Sequence, residues 1–417
     1  MLRILFAFIL LLSFRVSAQH YYLTADRVFD GEVIHEGWAV LVQGDKIISV
    51  GPKEKVSAPS GSIKINYSNA MILPGLIEGH SHLLLHPYNE TPWDDQVMKE
   101  SDGYRMARAT VHAKNTLLAG FTTVRDLGSE GAGYADVDLK KAINDKIIPG
   151  PRMIVAGRAI VSTGSYGPKG FDRDMKIMLG AEEADGDNLI KVTRDQIGNG
   201  ADVVKVYADY RWGKSNEPMP TFSIEEMKFV VETSKSSGRA VVAHASTAEG
   251  MRRAVLAGVE TIEHGDDGTQ EIFELMKEKN VALCPTLAAT EALIQYRGWK
   301  KGSDPEPEKI KKRKENFKIA LQSGVTILAG GDVGVFAHGE NVRELELMNE
   351  YGMNTVDVLK SATSINAKIF HIDATVGSVK DGLKADLIIV SGDPSKNISD
   401  LRKIKFVMKD GVIFKNE

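Results

Sequence analysis

Between residues 76 and 369 the chain alternates short apolar runs with amphipathic stretches, and this alternation restricts the fold more than any other feature. Eight runs read as strands: "GLIEGHSHL", "TTVRDLG", "RMIVAGRAI", "DVVKVYA", "AVVAHAS", "TIEHGD", "ALCPTLA" and "TILAGGDVG". The segments between them carry the 3.6-residue apolar period of helices. In "SIEEMKFVVETSKSSG", Ser223 and Glu226 have the spacing of a capping box and Gly238 marks the end. In "TQEIFELMKEKN", Ile272, Leu275 and Met276 share one stripe. Repeated strand–helix alternation calls for a parallel sheet, and eight units predict an α/β fold of the (β/α)8 TIM barrel type. In such a barrel the reactive residues stand at the C-terminal ends of the strands. The stretch "GSDPEPEKIKKRKENFK" reads as a solvated loop and helix face.

The two ends of the chain follow a different pattern. "WAVLVQGDKIISVG" reads as two strands turning at Gly44-Asp45, and "KFVMKDGVIFK" as two turning at Asp410-Gly411. Because chain termini often lie close together, residues 19–75 and 370–417 are expected to form one small β-sandwich domain beside a barrel of residues 76–369. The first 18 residues stand apart. Arg3, a long apolar stretch and then Val16-Ser17-Ala18 have the layout of a secretory signal peptide, with the mature chain starting near Gln19. The expected location is therefore secreted or periplasmic, with no stable membrane insertion after the signal is removed. Cys284 is the single cysteine, so no internal disulfide can form, and within "VALCPTL" it reads as a small buried residue.

A formal charge of −4 with basic residues scattered along the chain provides no stripe for phosphates, which argues against nucleic-acid binding. The expected partner is a small-molecule substrate, and the sequence is compatible with a homo-oligomer.

His80 and His82 stand inside an apolar run, two residues apart. Residues i and i+2 of a strand project from the same face, so both imidazoles point to one side. Alone, such a pair reads as two satisfied core histidines. His244, His264 and Asp332, however, end the fifth, sixth and eighth strands, which brings all five to one rim. Imidazole and carboxylate donors suit zinc first, with manganese, iron or cobalt also acceptable. Lys205 is set among Val203, Val204 and Val206. An ammonium buried there has to be paired, neutral or modified. A structural salt bridge is the simplest reading for an isolated strand lysine. Beside four histidines and an aspartate, an amine that has captured carbon dioxide makes better sense.

These residues, with "LPGLIEGHSHL", "GFTTVRDLG", "GADVVKVYA", "GVETIEHG", "GGDVG", "HGENVRELELM", "SATSINAKIF" and "VGSVKDGLKADLIIV", resemble the amidohydrolase superfamily. The likeness is narrower to its secreted imidazolonepropionase-like and Xaa-Pro dipeptidase-like branch. It runs through nearly the whole mature chain in family order. The resemblance implies two divalent metal ions, zinc foremost: one held by His80, His82 and Asp332, the other by His244 and His264, with N6-carboxylated Lys205 bridging them. It also implies hydrolysis of an amide C–N bond by a metal-bridged hydroxide, with Asp332 as catalytic proton shuttle and a dipeptide or N-acyl amino acid as substrate. A mononuclear deaminase or a cyclic amide hydrolase of the same superfamily is the alternative. Deaminases of this group lack the strand-four lysine and carry a glutamate after the strand-five histidine, where this chain reads "HAS". A catalytically inactive metal-binding protein on the same fold is the alternative of another class.

For substrate contacts, the resemblance places Tyr166 of "STGSYGP" where relatives grip a carboxylate, and Ser246 where they carry a tyrosine. Tyr207, two residues beyond Lys205, shares its face and is expected to line the barrel mouth. His338 and Asn341 in "AHGEN" are expected in the pocket. Arg125 and Asp126 read as a structural pair at the rim.

Overall fold

The computed structural model describes residues 19–172 and 174–417, so the signal-peptide expectation for residues 1–18 lies outside the described residues. Both chain ends build a pair of sheets. His20–Thr24, Trp38–Gln43, Lys46–Pro52 and Ile63–Asn66 form a four-stranded sheet. Arg27–Phe29, Ile34–Glu36 and Ala70–Pro74 join Leu387–Ser391, Ile404–Lys409 and Val412–Asn416 in a six-stranded one. The termini meet where Ala70–Pro74 runs antiparallel to Leu387–Ser391, with Ile72 opposite Ile389. Most pairs are antiparallel, but His20–Thr24 runs parallel to Ile63–Asn66, and Arg27–Phe29 parallel to Ala70–Pro74. The two turns fall where the sequence places them. Gly44 has φ 58°, and Asp410 and Gly411 have φ 48° and 73°, as a tight two-residue hairpin loop requires. Alternate residues point inward: Leu23, Val40 and Val42 of one sheet pack with Ile72, Leu387, Ile389, Phe406 and Met408 of the other.

The central strands are parallel. Leu76–Ser81, Phe121–Asp126 and Arg152–Val155 lie side by side. A second group follows the order Glu182–Glu183, Ile160–Val161, Val204–Tyr207, Val241–Ala245, Thr261–His264 and Ala282–Cys284. The groups connect where the Asp202 amide donates to the Val155 carbonyl at 2.7 Å. They connect again through residues 326–333, which bridge Leu283 at Ile327 and Ser81 at Val333. Amphipathic helices alternate with the strands, among them Ile224–Lys235, whose Ser223 and Glu226 make the reciprocal capping box, and Gln270–Glu278, which buries Ile272, Phe273 and Met276.

The eighth expected strand, "TILAGGDVG", forms only these bridges. The side chain of Asn366 takes the place of ladder bonds: Nδ2 donates to the carbonyls of Ile77 and Ala329 at 3.0 and 2.8 Å, and Oδ1 accepts from the Ala329 amide. Close approach explains the glycines here. A Cβ at Gly79 would meet the Ala329 carbonyl oxygen at 2.5 Å, and one at Gly330 would meet the His80 amide nitrogen at 2.7 Å. The packing draws the end of the chain's first central strand tightly against the segment that delivers Asp332.

Candidate metal centre and substrate cavity

All six sequence-predicted ligand residues lie at one end of the parallel strands. Strand register explains part of the arrangement: Tyr207 sits opposite His244, and Ala245 opposite His264. The rings of His80 and His82 are 5.3 Å apart, those of His80 and His264 5.2 Å, and those of His244 and His264 4.5 Å. Asp332 Oδ1 lies 3.4 Å from His82 Nε2 and 3.6 Å from His80 Nε2. His80, His82 and Asp332 offer ligand atoms that all fall within 4.8 Å of one another.

Three of the four rings are held by a hydrogen bond from behind. His80 Nδ1 pairs with Glu263 Oε2 at 2.8 Å, His82 Nδ1 donates to the Gly128 carbonyl at 2.9 Å, and His264 Nδ1 pairs with Thr286 Oγ1 at 2.8 Å. One nitrogen is occupied in each case, which leaves Nε2 turned toward the centre. Metal-ligating histidines are held in this way by a hydrogen bond on the far nitrogen. For His244, Nε2 is the nitrogen nearer a carboxylate, 3.6 Å from buried Asp209. Asp209 is itself fixed by the amides of Ser246 and Thr247 and by the Thr247 hydroxyl.

Electrostatics favour neutral donors around a cation. Burial, then the Lys205 charge, holds His80 well below the usual imidazole pKa, and burial followed by His264 does the same to His244. Burial, then the His80 charge, lowers His264 likewise. At His82 burial acts downward, but hydrogen bonding to Asp332 and the charges of Glu130, Asp332 and Asp126 raise the pKa to about 9. Positive charge is therefore welcome beside Asp332. Lys205 is 1% exposed and its pKa is lowered, chiefly by burial. Among the described residues no carboxylate lies within ion-pair distance of its amine, which instead faces the Tyr207 ring at 5.6 Å. Oriented imidazoles, a carboxylate and an unpaired buried amine fit a divalent metal centre.

The backbone is strained at this rim. His264, Thr286, Asp332 and Glu130 have φ of 75°, 49°, 61° and 49°, in the left-handed region that non-glycine residues seldom enter. Each costs of order 1–3 kcal/mol, and such residues gather where a site is held in shape by its surroundings.

The centre opens into a cavity of about 340 Å³, lined among others by Tyr88, Trp93, Glu130, Tyr166, Tyr207 and Tyr210. Tyr166 and Tyr207 both line it, and Tyr207 stacks on His244 at 4.6 Å. Ser246 also lines the cavity. His338 does not. Its Nε2 donates to the Leu85 carbonyl at 2.9 Å and its ring stacks on His112 at 4.3 Å, so packing fixes it away from the cavity. Asn341 likewise turns inward, donating to Glu78 Oε2 at 2.8 Å. Arg125 and Asp126 do not pair, because neighbours on a strand face opposite sides. Arg125 bonds Glu263 at 2.8 Å, while Asp126 accepts the Leu83 amide at 2.7 Å.

Sequence reasoning passes over Glu263, Asp209, Thr286 and Glu130. Glu263 carried a usable signal, since it is a charged residue in the apolar run "TIEHG", the same anomaly that exposes Lys205.

Comparison with known proteins agrees with this geometry. Residues 71–414 match the Amidohydrolase family, whose members are metal-dependent. Ochratoxinase of Aspergillus niger is 29% identical over 93% of this chain and 84% of its own length. Its crystal structure superposes with a TM-score of 0.81, at 25% identity and 96% coverage of both chains. A Xaa-Pro dipeptidase crystallised with methionine in its active site superposes with a TM-score of 0.85, at 30% identity, over 95% of this chain and all of that one. These neighbours share a fold of the TIM barrel type. The protein belongs to the amidohydrolase family and is a hydrolase acting on carbon–nitrogen bonds.

Proposed function

We propose that the protein is a two-metal hydrolase cleaving the amide bond of a dipeptide or an N-acyl amino acid. The observation that carries this reading is Lys205, buried without an acidic partner among the described residues and set beside four histidines and Asp332. As a protonated amine it would repel divalent cations. As a carbamate, formed when the neutral amine adds to carbon dioxide and releases a proton, it becomes an anionic bridge. In this reading His80, His82 and Asp332 would hold one cation, His244 and His264 the other, and carboxylated Lys205 would serve both. The nitrogen and oxygen donors suit zinc first. Divalent cations bound there supply Lewis acidity toward the amide carbonyl and lower the pKa of water.

The chain's own residues do the rest. Glu263, the Gly128 carbonyl, Thr286 and Asp209 keep the imidazoles in place, so little reorganisation accompanies binding. Asp332 carries the proton. Burial raises its pKa, but pairing with the imidazoles of His80 and His82 outweighs burial and leaves it lowered, so it is ionised and able to accept a proton from attacking water. Returning that proton to the departing amine completes the hydrolysis. The aromatic wall of Trp93, Tyr166, Tyr207 and Tyr210 limits water around the substrate.

Support for amide cleavage comes from the names of the relatives, ochratoxinase and Xaa-Pro dipeptidase. The same reading includes a closed (β/α)8 barrel over residues 76–369, a β-sandwich from residues 19–75 and 370–417, and a signal peptide over residues 1–18. Among the described residues no helix is long and apolar enough to cross a membrane. The test is metal analysis of the purified protein together with hydrolysis of a panel of dipeptides and N-acyl amino acids. Amide cleavage with two metals per chain is expected, and deamination of an aminopurine with one metal would replace the reading.

A further inference from the structure

One wall of the cavity is a buried carboxylate ringed by aromatic side chains. Glu130 follows the Phe121–Asp126 strand, is 3% exposed, and holds a left-handed φ of 49°. Its Oε2 accepts from Trp93 Nε1 at 2.9 Å and from the Tyr166 hydroxyl at 2.8 Å, and its Oε1 from the Tyr207 hydroxyl at 3.4 Å. Buried Arg105 donates to the carbonyls of Ser129 and Glu130 at 3.0 and 2.7 Å, pinning the backbone and not the carboxylate. The nearest basic nitrogen is His82 Nδ1 at 3.9 Å, which is already bonded to Gly128.

Neutral donors thus hold an anion in the cavity wall, and no lysine or arginine among the described residues pairs with it. The donors belong to one aromatic cluster: the Tyr166 ring lies 5.4 Å from Trp93 and 4.7 Å from both Tyr207 and Tyr210. A carboxylate among electron-rich rings is suited to an ammonium ion. It repels a second carboxylate. Tyr166, expected to grip a substrate carboxylate, has its hydroxyl hydrogen committed to Glu130. The cavity also contains Arg211, Arg297 and Lys309. Both arginines are exposed at the opening and make no ion pair among the described residues.

We propose that Glu130, within the ring of Trp93, Tyr166, Tyr207 and Tyr210, is the subsite for a substrate ammonium group, while Arg211 and Arg297 receive the carboxylate. The substrate is then a zwitterion, a dipeptide with a free amino terminus, and not an N-acyl amino acid. This inference rests on the amide-hydrolase reading for the identity of the substrate, but not for the existence of the subsite.

The experiment therefore reads binding and turnover separately, on metal-loaded protein. Calorimetry compares leucine amide, a cation, with N-acetyl-leucine amide, its neutral counterpart. The cation is expected to bind roughly tenfold to a hundredfold tighter, the worth of a charge-assisted hydrogen bond. Glu130→Gln is expected to bring that ratio toward one, which separates the subsite from ligation of a metal by the amine. Equal binding of the two amides by the wild-type protein, which needs no variant, overturns the proposal. So does a ratio unchanged in Glu130→Gln, because a residue that only positions His82 would weaken both ligands together. Turnover of leucyl-leucine and its N-acetyl form follows. Discrimination in binding with hydrolysis of neither supports the subsite and defeats the amide-hydrolase reading. Hydrolysis of both at equal kcat/KM defeats the subsite and leaves that reading standing.

Discussion

Glu263 spans His80 and Arg125: one carboxylate oxygen lies 2.8 Å from His80 Nδ1 and the other 2.8 Å from an Arg125 terminal nitrogen. Both partners are 1% exposed, so the only countercharge to a buried guanidinium among the described residues is also the group that orients a candidate metal-binding ring. Replacing Glu263 by Gln leaves Arg125 charged and without its anion. Breaking a buried pair from one side costs about 3–5 kcal/mol. Loss of the anchor behind His80 is expected to weaken metal affinity about 10–100-fold. Chemical denaturation and metal titration of Glu263→Gln check both, and an unchanged unfolding midpoint would assign Glu263 no part in stability.

Asp209 plays the corresponding role behind His244. It accepts the Ser246 and Thr247 amides at 2.9 and 2.7 Å, and the Thr247 hydroxyl that caps Ala248–Ala257. Asp209→Ala leaves these half-buried donors without their acceptor, at up to about 1–3 kcal/mol each. Thermal unfolding is expected to show a clear loss, with weaker metal retention at the His244 side.

Asp332→Asn keeps an oxygen beside His80 and His82 but removes the proton carrier. A rate loss of about 10²–10⁴-fold is expected, with further loss if metal is released. Turnover measured at matched metal content tests it; near-normal rates would take Asp332 out of the proton path.

His338→Phe is expected to leave the order of substrate preference unchanged. It removes a hydrogen bond to Leu85 and alters a stacked ring, so the cost falls on stability, at about 1–3 kcal/mol. A changed substrate profile with unchanged stability would return His338 to the pocket.

The parts of this protein legible in its sequence are those where chemistry narrows the choice of residue. Strand periodicity places His80 and His82 on one face, and an apolar strand makes Lys205 conspicuous. The hairpin turns were readable because Gly44, Asp410 and Gly411 need positive φ. Glu130 and Asp209 gave no such signal, since an acidic residue in a polar loop or strand end looks solvated until the fold buries it. His338 follows Asp332 closely in sequence, but stacking on His112, and not that nearness, decides its position. The eighth strand was legible as a segment but not as a ladder, because the hydrogen bonds of Asn366 come from almost forty residues further along the chain.

Lys205 carries the central claim, and Lys205→Met tests it most directly because methionine fills the apolar strand without offering an amine. Metal per chain and turnover are measured on the purified variant against wild type. With Lys205 bridging two cations, the variant is expected to fold, to hold fewer than two metals, and to lose most activity. Two metals per chain with normal turnover in Lys205→Met would contradict the account.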